Sequence, residues 1–86
     1  MKVKLEFVAR EIAGETLLVP VGKTALELNG MLTLNELGAE LWKRIPDCAS
    51  EEELVQGIVA DYDVEPERAR ADVAEFLNKL RSLGIL

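Results

Sequence analysis

The side chains of this 86-residue chain best suited to chemistry are one cysteine and two groups of carboxylates. Cys48 sits in Pro46-Asp47-Cys48-Ala49, and the chain has no histidine to activate it. A thiol becomes a nucleophile only where a base or a nearby cation favours the thiolate. Cys48 therefore reads as a loop or half-buried thiol. One cysteine without histidine also rules out a zinc site of the usual donor set. Glu51, Glu52 and Glu53 fall where a helix should begin, and carboxylates there are favoured by the helix dipole. Asp61, Asp63 and Glu65 alternate like the start of a calcium loop. The glycine and glutamate that complete such a loop are missing. Gly22 and Gly30 make no phosphate-cradling pattern. No catalytic residue, metal site or cofactor site is expected, and the chain reads as a binding protein rather than an enzyme.

Composition narrows the binding partner. Hydrophobic residues make up 49% and charged residues 30%, which suits a globular domain, and the length suits a single one over residues 1–86. The formal charge is −6, and it is uneven. Residues 1–49 carry six basic and seven acidic side chains, whereas residues 50–86 carry four and nine. Nucleic-acid binding needs a basic face that neutralises phosphates. Here the acid is concentrated in the half that should be helical, so no nucleic-acid partner is expected. No apolar run approaches the length of a membrane span. The N-terminal MKVKLEFVAREIAG carries charges through its apolar part, unlike a signal peptide. The expected location is the cytoplasm, with no membrane partner.

The elements that must build a binding surface are legible as period-2 and period-3.6 patterns. Val3, Leu5 and Phe7 alternate with charges, and Leu17, Val19 and Val21 alternate after a turn near Ala13-Gly14-Glu15. Pro20 lacks an N–H, so that position should face away from a partner strand. ALELNGMLTL at 25–34 reads as a second hairpin turning at Asn29-Gly30. From Leu34 the period changes. Leu34, Leu37, Leu41 and Ile45 form one helical stripe, with Gly38 and Trp42 beside it and Asn35 or Thr33 as cap. Pro46 ends that helix. Ser50 with Glu53 makes a capping box for a second helix, burying Leu54, Val55, Ile58, Val59 and Tyr62. Pro66 opens a third, with Ala69, Val73, Phe76, Leu77, Leu80 and Leu83 inward, and Gly84 stops it. The expected class is α+β. A three-stranded antiparallel sheet precedes three helices in a winged helix-turn-helix arrangement.

Four stretches in this order, REIAGETLLVPVG at 10–22, LNELGAELW at 34–42, SEEELVQGIVADYDV at 50–64 and ADVAEFLNKLRSLGIL at 71–86, resemble the PqqD family. That family is named for coenzyme PQQ synthesis protein D, and its members are also called precursor-peptide recognition elements. The resemblance implies a non-catalytic module that binds the leader of a ribosomally made precursor peptide. The module then presents the leader to a modifying enzyme, often a radical SAM enzyme, as in PQQ biosynthesis. It further implies that the leader adds a strand to the third β-strand and lies against the third helix.

Strand addition makes physical sense here, because a sheet edge offers unpaired N–H and C=O groups to an extended guest. Met31, Leu32, Thr33 and Leu34 are the expected edge. On the third helix Val73 and Leu77 are the expected floor. The flank of Arg70 and Ala74 is favoured for the groove wall over that of Asp72 and Lys79. Two other uses of the fold are open: a DNA-binding winged helix, and a homo-oligomerising scaffold in which the same edge pairs with a second copy.

Overall fold

A computed structural model describes residues 1–27 and 32–86. Three strands, β1 (Phe7–Ile12), β2 (Glu15–Pro20) and β3 (Leu32–Leu34), form an antiparallel sheet in the order β1-β2-β3. Among the described residues four helices accompany the sheet: α1 (Lys23–Glu27), α2 (Glu36–Arg44), α3 (Glu51–Asp61) and α4 (Pro66–Ser82). A 3-10 turn, Ile45–Asp47, follows α2 and takes in Pro46. The class is α+β, with the sheet ahead of the three long helices.

The β1–β2 hairpin closes through Ala13 and Gly14, with Ile12 paired to Glu15. Both turn residues have positive φ, 52° and 81°, which gives the twist that a two-residue hairpin needs. The strand begins at Phe7 rather than at Val3. Val3 and Leu5 are still half-buried against the core, and Lys4 N–H donates to Ile85 O at 2.7 Å.

Two expectations for this region are corrected. Residues 23–27 are helical, so the second hairpin does not form as expected, and β3 pairs with β2 instead. The turn at Asn29-Gly30 lies outside the described residues. Tertiary bonding favours the helix: Thr24 is buried, and its hydroxyl accepts the Glu6 N–H at 2.8 Å. The buried face of β2 is also shifted by one residue. Leu18 is fully buried, while Leu17 and Val19 are only partly so.

The helix ends follow their sequence signals closely, whereas Tyr62 and Leu83, expected inward, are exposed. Asn35 caps α2, its Oδ1 accepting the Gly38 N–H at 2.7 Å. Ser50 Oγ accepts the Glu53 N–H, and the Glu53 carboxylate reaches back to the Ala49 N–H rather than to that of Ser50. Pro66 is the first residue of α4. The helix ends at Gly84, φ 76°, where Ile85 N–H bonds Leu80 O and Gly84 N–H bonds Arg81 O. That Schellman arrangement turns Ile85 into the core, where it is fully buried. Leu41, Ile45, Leu54, Val55, Ile58, Val73, Leu77 and Leu80 make up most of the same core.

Candidate functional site: an open sheet edge beside a cleft

β3 is an edge strand, and the register shows which of its backbone groups are free. Val21 N–H donates to Glu6 O at 3.1 Å. That bond sets the alternation of β2: Leu17, Val19 and Val21 turn their backbone groups toward β1, while Thr16 and Leu18 turn theirs toward β3. Leu34 and Leu32, opposite Thr16 and Leu18, therefore bond to β2. Thr33, opposite Leu17, turns its N–H and C=O outward. Among the described residues no strand meets that outer edge. The same parity explains Pro20. Its nitrogen points to the β3 side, so the missing N–H takes no bond from the ladder with β1.

Leu32 and Leu34 point to the helix side of the sheet. Leu34 is 7% exposed, and Leu32 is half-buried against the core. From the edge, a cleft of about 440 Å³ opens toward α4. One wall is formed by Thr33, Leu34 and the start of α2, including Leu37 and Gly38. The other is formed by Arg68, Asp72, Glu75, Phe76 and Lys79. The walls approach closely where a Cβ placed on Gly38 would lie 3.2 Å from the Phe76 ring. The mid-helix glycine thus lets α2 lie against that ring.

The placement of the expected residues is mixed. Leu32, Thr33 and Leu34 form the edge; Met31 lies outside the described residues. Val73 and Leu77 are fully buried, so they support the cleft from beneath without lining it. The cleft is walled by the flank of α4 opposite to the one that sequence favoured for the groove. Asp72 and Lys79 face the cleft, whereas Arg70 bonds Glu52 on α3. Ala74 is half-buried and does not line the cleft. Sequence periodicity identifies the inward stripe of α4 but not which neighbour flanks it. Phe76, expected in the core, is half-buried and lines the cleft.

Each arginine of the helices has a carboxylate partner. Arg70 pairs with Glu52, Arg81 with Glu51 at 3.7 Å, and Arg68 with Asp72 at 3.8 Å. The Arg70 guanidinium, helped by the Gln56 amide, holds the Glu52 carboxyl below the usual range. Arg44 ties α2 to α3. It donates to Glu40 at 2.9 Å and to Asp61 at 2.7 Å, and its guanidinium lies 5.8 Å from the Tyr62 ring centroid. Those carboxylates raise its pKa, Glu40 most strongly. Trp42 stands apart from the cleft, edge-on to Phe7 with ring centroids 6.0 Å apart. Among the described residues, no group of three or more His, Cys, Asp or Glu side chains is placed to hold a metal ion. No described helix is long and apolar enough to cross a membrane.

Fold and cleft together define a small winged-helix-like α+β module with an open sheet edge. Residues 15–86 match the family model described as coenzyme PQQ synthesis protein D (PqqD), and the chain belongs to that family. A solved structure, TbiB1 in complex with the TbiA(beta) leader peptide, superposes with a TM-score of 0.74 at 24% identity. The match covers 100% of this chain and 94% of that one. No curated protein sequence matches.

Proposed function

We infer that this protein is a non-catalytic peptide-recognition module acting as one domain over residues 1–86. Its partner is the leader segment of a ribosomally made precursor peptide, held as an added strand on β3 and presented to a peptide-modifying enzyme, radical SAM or other. The observation that carries this is the outward N–H and C=O of Thr33 beside the α4 cleft. An extended guest satisfies those groups and places alternate side chains over Leu34 and Phe76. Membership in the PqqD family and the likeness to a protein solved with a leader peptide support the same reading. A ribosomally made guest places the encounter in the cytoplasm. PQQ biosynthesis is one pathway of this kind.

The pairing of Arg68, Arg70 and Arg81 with carboxylates speaks against a DNA-reading face on α4. Self-pairing through β3 competes for the same backbone groups, so a homodimer should dissociate as leader binds. Calorimetry with synthetic leader peptides encoded beside the gene tests the proposal. Saturable one-to-one binding is expected. Absence of heat across all candidates, at protein concentrations well above micromolar, overturns it.

A further inference from the structure

A second cavity adjoins the cleft, with a different character. It has a volume of about 470 Å³ and lies between α2, the end of α3 and the start of α4. Its floor is apolar, made by Leu37, Ile58, Val64 and Ala69. Tyr62, 48% exposed, stands at its edge. The carboxylates of Glu36, Glu40 and Asp72 line it too. Two guanidiniums offset them in part. Arg44 is shared between Glu40 and Asp61, and Arg68 reaches Asp72 at only 3.8 Å with its own side chain 79% exposed. Glu36 has no ionic partner among the described residues. Three lining carboxylates, one of which shares Arg44 with Asp61, against two guanidiniums leave the mouth negative.

Leu37 and Asp72 line both cavities, so the second continues the first. It begins where a chain lying along β3 runs past Leu34 toward Glu36. For a guest antiparallel to β3, that is the N-terminal side of the added strand.

We propose that this acidic-mouthed cavity is a second subsite for the same guest peptide. It takes an apolar side chain with a lysine or arginine next to it, on the segment that leaves the sheet edge past Leu34. The apolar side chain is buried against Leu37, Ile58 and Val64, and the cation stays at the wet mouth near Glu36. This assignment rests on the strand-addition reading and adds a specificity rule to it: strand-forming residues first, then a basic–apolar pair on one side.

The test is selection from a display library of random 16-residue peptides on the intact protein, on Glu36→Gln and on Glu36→Lys. Glu36 lies outside the strand cleft, so strand capture should survive both changes. Wild type should enrich an alternating apolar stretch flanked on one side by a basic–apolar pair. Glu36→Gln should bind such peptides roughly two- to fivefold more weakly. Its binding should also respond less to salt. Glu36→Lys should shift the flanking preference toward acidic residues. Enriched strand-forming peptides with no basic flank, or a basic flank indifferent to both variants, overturn the second subsite and leave the proposed function standing. No enrichment on any of the three proteins overturns both.

Discussion

Gly38 and Phe76 meet across the cleft so closely that a Cβ on Gly38 would lie 3.2 Å from the Phe76 ring carbon Cε1. The same Cβ would lie 3.1 Å from the capping oxygen of Asn35. Alanine within a helix is worth about 1 kcal/mol over glycine, so two effects oppose each other in Gly38→Ala. The ring lies at the edge of an open cleft and can swing outward; the cap has less freedom. Net stability should change by less than about 1 kcal/mol in urea titration. Leader-peptide affinity should fall more clearly, because the displaced ring narrows the groove. Unchanged affinity with an unchanged fold would show that the guest does not pass Phe76.

Thr33→Pro separates edge chemistry from fold. Proline removes the one N–H that β3 directs outward, and an edge position whose N–H faces solvent tolerates it. The melting temperature should move little while peptide affinity drops at least tenfold, the loss of a main-chain hydrogen bond to the guest. Leu32→Pro is the counterpart. It removes a bond to Leu18 within the sheet and should unfold the strand.

The helical half was legible because its signals are local. Ser50, Pro66 and Gly84 each act within one turn of their own position, and each acts there as the sequence indicates. The sheet half depended on partners far along the chain. The alternation in ALEL fits a strand as well as a short helix. What favours the helix over Lys23–Glu27 includes the buried Thr24 hydroxyl accepting from Glu6, 18 residues away. The faces of β2 were ambiguous for a related reason. Leu17, Leu18 and Val19 are all apolar, and only pairing with Leu32 and packing beneath it select Leu18 for the core. The flank that faces the cleft was undetermined because a stripe on one helix does not say what lies to its left or right. Arg70 and Asp72 are equally plausible until α3 takes one side and β3 the other.

Ala13 holds a left-handed conformation, φ 52°, that residues with a Cβ adopt only at a cost of about 1–2 kcal/mol. Gly14 beside it adopts φ 81° without that cost. Asparagine followed by glycine is the preferred pair for a type I′ turn, and the glycine is already in place. Ala13→Asn should therefore raise stability by about 0.5–1 kcal/mol, seen as a higher urea midpoint with an unchanged slope. Peptide binding should not respond, since Ala13 does not line the cleft and β2 separates β1 from β3. A fall in stability would mean that the turn is not type I′ in solution.

The Glu52–Arg70 pair joins α3 to α4 and should leave a signature in acid. Hydrogen bonding from Arg70 lowers the folded-state pKa of Glu52 below its ordinary value of about 4.3. Between those two values the unfolded chain binds more protons than the folded one, so stability rises with pH across that window. The contribution is fully present above about pH 4.3 and is lost as pH falls through the lower folded-state value. Glu52→Gln removes it at every pH. The urea midpoints of wild type and variant should therefore differ at pH 7 and converge in acid, with the other carboxylates cancelling between the two proteins. Both partners are exposed, so 0.5 M salt should shrink the pH 7 difference. A difference that persists undiminished in acid would place the role of Glu52 in packing or helix capping instead of charge.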